Sequence, residues 1–125
     1  MYKLTTEQKT MLSMCYNAMV DRKAEEVMVL DLRGISSIAD FFVICHGSSA
    51  RQVVAISDNV ETALRKSGRK RYHVEGRSRG NWVLMDYHDM VLHIFDRPTR
   101  AFYSLEKLWS DAKKMDEIEI LAWGN

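Results

Sequence analysis

The chain has 125 residues and a formal net charge of +1, with 46% hydrophobic and 28% charged residues. That length fits one domain burying roughly two-thirds of its unfolded surface, and the composition excludes a disordered chain. The near-zero charge gives no global attraction to nucleic acid or to an acidic membrane surface, and no apolar run reaches the ~18–20 residues that span a bilayer.

Cys15 and Cys45 suggest no disulfide framework. The N-terminal stretch MYKLTTEQKT lacks the layout of a secretory or transit signal. A reduced, cytoplasmic protein with no membrane association is the expectation.

In chain order, Thr5 with Gln8 fits a capping box, and Met11, Leu12, Cys15, Tyr16, Met19 and Val20 follow at helical spacing. This helix should end near Asp21-Arg22-Lys23. Val27 to Leu30 is a short apolar run that reads as a buried strand; Phe41 to Cys45 is a second, ending at His46-Gly47-Ser48-Ser49. Ser49 with Gln52 predicts another capping box. Val53, Ile56, Val60 and Leu64 mark the buried face of that helix, while Arg65, Lys66 and Gly68 suit its end. Tyr72 to Glu75 is a short strand candidate. Gly80 to Asp96 reads as a hairpin, with Trp82 to Met85 and Met90 to Phe95 flanking Asp86-Tyr87-His88-Asp89. Pro98 opens a last helix whose apolar positions are Phe102, Leu105, Leu108 and Trp109. From Lys113 onward the pattern is mixed, with Ile118, Ile120 and Trp123 available to dock.

This order predicts a single-domain α/β fold, a mixed five-stranded sheet flanked by helices, with some parallel pairing near the second helix. Alternation along the first hairpin strand puts Trp82, Leu84 and Asp86 on one face and Val83, Met85 and Tyr87 on the other. Both faces carry large apolar groups. One serves the core; the other needs a covering helix or a partner.

Each candidate for chemistry has a plain structural reading beside it. Gly47-Ser48-Ser49 stands between a strand and a helix start, where backbone N–H groups can bind phosphate, but neither G-x-G-x-x-G nor a Walker pattern is present. A turn plus helix cap is favoured. Asp86 and Asp89 lie across a turn rather than side by side, which weakens a Mg²⁺ site of the nucleotidyltransferase kind. Cys45 and His46 are adjacent on a strand and should diverge, and a cysteine within FFVIC reads as a small buried hydrophobe. His46, His73, His88 and His93 show no metal-ligand spacing. No catalytic, cofactor or metal site is expected. From Arg65 to Arg79 seven basic residues (Arg65, Lys66, Arg69, Lys70, Arg71, Arg77, Arg79) face one acid, Glu75. They form either a solvated helix end and loop or a phosphate-contacting patch, with Arg69, Lys70 and Arg71 at its centre. Trp82 suits an interface anchor, although a strand tryptophan is more often core.

Three segments, DLRGISSIADFFVICHGSSARQVVAISDNV, VEGRSRGNWVLMDYHDMVLHIF and RAFYSLEKLWSDA, resemble the ribosomal silencing factor family, also called Iojap-like. The resemblance implies a family domain over residues 1–112, with 113–125 as a C-terminal tail. It implies a nucleotidyltransferase-like sheet topology without known catalysis, cofactor or small-molecule substrate. It further implies binding to the large ribosomal subunit through large-subunit ribosomal protein fourteen, which blocks small-subunit joining and represses translation when nutrients are short. Organelle members carry targeting extensions, so the chain is similar to a bacterial member. The family's partner surface, carried onto GNWVLMDY, implies Trp82, Leu84, Asp86 and Tyr87 as contacts, with Met85 and His93 beside them. Asp86 would pair with a basic residue of the ribosomal protein. The family includes homodimers, and ribosomal RNA is a further expected contact for the basic patch. A Mg²⁺-dependent nucleotide-binding enzyme is the alternative, and a general RNA-binding module is a third. His46 departs from the family's usual Thr. His88 departs from its usual Gly, which predicts a positive φ in the hairpin turn.

Overall fold

Helix starts follow the capping residues in the computed structural model, which describes residues 3–123. Thr5 caps α1 (Thr6–Asp21): its hydroxyl accepts the Gln8 N–H at 3.0 Å, and the Gln8 carboxamide accepts the Thr5 N–H at 2.9 Å. The strands β1 (Glu25–Asp31) and β2 (Phe41–Gly47) follow, then α2 (Ala50–Lys66), β3 (His73–Glu75), β4 (Trp82–Asp86) and β5 (Met90–Asp96). After them come α3 (Arg97–Tyr103), α4 (Leu105–Leu108), β6 (Lys113–Lys114) and α5 (Glu117–Trp123). Ser49 caps α2 as expected, accepting the Gln52 N–H, but Gln52 does not close the box. Its carboxamide instead accepts from the Ser48 N–H and hydroxyl and donates to the Arg22 and Lys23 carbonyls, tying two turns together.

The sheet is mixed, in the order β3-β4-β5-β2-β1-β6. Among the described residues only β2 and β5 run parallel; the other neighbours are antiparallel. Parallel neighbours need a crossover, and α2 lies within the one that joins them. The sheet therefore has six strands rather than five. The sixth, β6, pairs only Lys113 and Lys114 with Asp31 and Leu30, too short for any alternation to mark it in the sequence.

One face of the sheet packs against α1 and α2. Val29, Phe41, Val43, Cys45, Val83, Met85, Met90, Leu92 and Ile94 meet Leu12, Cys15, Met19, Val53, Ile56, Val60 and Leu64 in the main core. The other face gathers Leu30, Phe42, Ile44, Val91 and Phe95, partly covered by Leu105, Trp109 and Ala112. The expected last helix is broken here. Ser104 takes a left-handed conformation, φ 47 and ψ 54, which ends α3 and starts α4 in a new direction. Leu105 and Trp109 still reach the sheet, but Phe102 and Leu108 are left 81% and 71% exposed. Near the C-terminus Ile120 docks in the main core, and the Tyr16 hydroxyl donates to Glu117 Oε1 at 2.5 Å. Ile118, expected to dock, is exposed.

Gly76 fixes where β4 begins. Its φ is +86, and a Cβ there would sit 1.9 Å from the Trp82 carbonyl oxygen, so only glycine lets the β3–β4 loop cross this point.

Candidate functional site

Alternation along β4 places Trp82, Leu84 and Asp86 on the face away from α1 and α2, all three half-buried. Cross-strand pairing sets Trp82 against Phe95, Leu84 against His93 and Asp86 against Val91. The Trp82 ring lies 4.9 Å from the Phe95 ring and 4.7 Å from that of Tyr103, and Tyr103 meets Phe102 edge-on at 5.0 Å. A run of rings therefore leads from buried Phe95 through Trp82 to the exposed side chains of α3. Large amphipathic rings on a rigid strand suit a protein interface, because little side-chain entropy is lost when they are covered.

Not every expected contact is on this face. Met85 and Tyr87, anticipated beside Trp82, point to the helix side and are buried in the main core. A partner on the Trp82 face does not touch them. His93 is on the correct face but lies beneath it, 4% exposed. Its Nδ1 accepts the Trp82 indole N–H at 3.2 Å, which places the ring proton on Nε2, and that buried nitrogen has no hydrogen-bond partner. Burial pushes the imidazole pKa down to about 4, so the ring is neutral. His93 therefore lies beneath the indole and orients it. Asp86 has one carboxylate oxygen occupied, since Oδ1 accepts the His88 N–H at 2.8 Å in the hairpin turn. His88 takes φ 71, the positive value its place in that turn called for.

The nucleotide reading fares poorly in geometry. The Ser48 N–H and hydroxyl, donors that an incoming phosphate would use, are both taken by the Gln52 carboxamide at 2.6 and 2.7 Å. Asp89 pairs with Arg69 at 2.8 Å, so neither hairpin carboxylate stands without a partner of its own chain. Cys45 and His46 diverge as alternation requires. Cys45 is fully buried, and burial pushes its thiol up to about 12, so it stays protonated. His46 turns to the other side, where its Nδ1 lies 3.0 Å from Arg100 Nη1 and its Nε2 3.0 Å from Glu25 Oε1. Arg100, itself buried, also donates to the Glu26 carbonyl at 2.8 Å and to Glu106 at 3.1 Å. It thereby clamps α3 and α4 to an irregularity in β1, where Glu26 takes φ 48. Among the described residues no three His, Cys, Asp or Glu side chains converge to hold a metal ion.

The basic stretch separates into two sets. Arg69 pairs with Asp89, Arg71 and Arg77 both hold Glu61, and Arg77 also lies 3.4 Å from Asp58. Burial works against the Glu61 carboxylate, yet Arg77 and Arg71 outweigh it and keep its pKa below the usual range. Arg69 and Arg71, expected as RNA contacts, thus have structural duties. Lys70 is exposed and forms no ion pair among the described residues, as is the case for Arg65, Lys66 and Arg79.

Phe102, expected on the apolar face of one long helix, is exposed beside the Trp82 surface, and Tyr103, which the sequence reading did not single out, joins it there.

Fold and surface together define a small mixed α/β domain that keeps an aromatic run open on one face of its sheet. The family model described as ribosomal silencing factor during starvation, RsfS, matches residues 5–122. The ribosomal silencing factor RsfS of Halalkalibacterium halodurans is 44% identical over 106 residues, 85% of this chain and 91% of the relative. That of Bacillus subtilis is 41% identical over 109 residues, 87% and 92% of the two chains. A crystal structure from Bacillus halodurans superposes with a TM-score of 0.75 at 41% identity, covering 84% of this chain and 95% of that one. The chain belongs to the ribosomal silencing factor (RsfS) family.

Proposed function

We propose that this protein is a non-catalytic silencing factor: it binds the large ribosomal subunit and blocks joining of the small one, repressing translation when nutrients are short. The names carried by its family and relatives support the ribosomal setting. The observation that carries a binding role is the ring run Trp82–Tyr103–Phe102, left uncovered beside Leu84. Large-subunit ribosomal protein fourteen is the partner on this face. Trp82 and Leu84 are the apolar anchors, Tyr103 and Phe102 extend them, and Asp86 supplies a charged edge. Met85, Tyr87 and His93 act only through the fold. A homodimer would use the same apolar surface and so compete with the ribosome.

The test is a sucrose-gradient joining assay with purified subunits. Wild-type protein is expected to migrate with the large subunit and to leave it unjoined. Trp82→Ala should weaken binding by about 2 kcal/mol or more while the circular dichroism spectrum keeps its folded form. Because Trp82 also packs on Phe95, Phe102→Asp serves as a second variant at a side chain with almost no core contact. Wild-type protein that stays at the top of the gradient overturns the reading.

A further inference from the structure

At the other end of β4 from Trp82, two exposed rings lie 4.0 Å apart, those of Tyr72 and His88. Neither fills a core: Tyr72 is 67% exposed, and His88 occupies the tip of the β4–β5 turn. Both are held by one residue, Asp86, through its backbone carbonyl and its side chain. The Tyr72 N–H donates to the Asp86 carbonyl and the His88 N–H to Asp86 Oδ1, each at 2.8 Å. The ring of His88 is carried at φ 71, a conformation that glycine adopts freely and most side chains do not.

Tyr72 also lines an open cleft of about 300 Å³ with Arg65, Arg69, Lys70, Arg71 and Glu61. Four cations there face one carboxylate. Arg69 and Arg71 are fixed by Asp89 and Glu61, which leaves Arg65 and Lys70 as the unpaired charges of the cleft. A pair of exposed rings next to unpaired cations is the arrangement that holds single-stranded nucleic acid, in which each base offers a π-face and each linkage a negative charge. A paired helix offers no free base face to stack on.

We propose that this patch binds an unpaired stretch of RNA, one base stacking on Tyr72 and His88 while Arg65 and Lys70 contact the adjoining phosphates. The inference deepens the ribosome-binding reading and rests on it for its setting, since RNA surrounds any protein docked on a ribosomal subunit. The chemistry of the patch is independent of it. Arg69 and Arg71 shape the cleft, and Asp86 joins it to the Trp82 face, so the two surfaces can be occupied together.

The probe is a short fluorescent oligouridylate, titrated with the full-length protein by anisotropy over a range of salt, with an RNA duplex of the same length beside it. Binding should favour the single strand and weaken as salt rises. Tyr72→Ala should reduce affinity by about five- to a hundred-fold with the salt slope unchanged. His88→Gly, which relieves the positive φ, should act in the same direction without loss of fold. Lys70→Gln should instead lower the slope by about 0.7. No binding at low salt overturns the proposal, as does equal binding by wild type, Tyr72→Ala and His88→Gly. Tight binding of polyglutamate that Tyr72→Ala does not weaken overturns it in favour of an acidic protein segment. Co-sedimentation separates the two readings. Protein that pellets with large subunits yet ignores oligouridylate keeps the silencing role and loses this one, and the opposite pattern keeps only RNA binding.

Discussion

The two faces of β4 differ by one residue of register and by everything else. Val83 and Met85 meet a two-helix layer and are wholly buried, among aliphatic neighbours from β5 and α2. Trp82 and Leu84 meet rings instead, under a cover that the break at Ser104 leaves incomplete. The helix side is closed into the main core; the ring side is ordered but only partly covered. Strand alternation thereby places closed and open surface on neighbouring residues.

The largest expected effect tests that division directly. Met85→Ala should cost about 2–5 kcal/mol of folding stability, because the two-helix layer cannot collapse into the space. Leu84→Ala, one residue away but half-buried, should cost under about 1.5 kcal/mol of stability by the smaller area it withdraws from water, and should weaken large-subunit binding. Urea denaturation of both variants beside the gradient assay decides it. Equal destabilisation by the two would erase the distinction between the faces.

What the sequence revealed follows the range of its signals. Capping at Thr5 and Ser49, the apolar face of α2 and the alternation of β4 are local patterns, and each is where it was expected. The broken last helix was illegible because nothing in Ser104 itself announces a left-handed residue. The Gln52 amide matched a capping box yet found better partners in Ser48 and in the distant Arg22 and Lys23 carbonyls. Which arginines of the basic stretch are spent on structure depended on Glu61 and Asp89, acids that lie outside it. In the site, alternation separated Trp82 and Leu84 from Met85 and Tyr87 correctly, whereas the contact set taken from resemblance merged the two faces.

A pH titration should distinguish the faces as well. His93 on the ring side has its pKa lowered to about 4 by burial. As pH falls below the ordinary histidine value of about 6.5, the unfolded chain binds a proton that the folded one refuses, so stability falls. The loss should accumulate down to about pH 4 and reach on the order of 3 kcal/mol. Against burial, Arg33 likewise holds the Asp31 carboxyl low, as Arg77 and Arg71 hold Glu61, and these losses begin only in the carboxylate range. On the helix side burial raises Tyr87 to about 12, so its penalty appears only above pH 10, when the unfolded phenol ionises first. Thermal denaturation of wild type and His93→Phe from pH 4 to 8 checks the acid arm. The variant should lose the slope above the carboxylate range, and an unchanged slope would remove His93 from the account.

The smallest expected change is the most discriminating for the site. The Tyr87 hydroxyl is buried without a hydrogen-bond partner, so it was stripped of water with nothing in return. Tyr87→Phe removes that oxygen and leaves the ring in place among Cys15 and its neighbours. Stability should therefore stay level or rise by up to about 1 kcal/mol. Binding to the large subunit should not change, because Tyr87 faces α1 and α2 rather than the Trp82 surface. A variant that is stable yet fails to migrate with the large subunit would mean that the helix side, not the ring side, meets the ribosome.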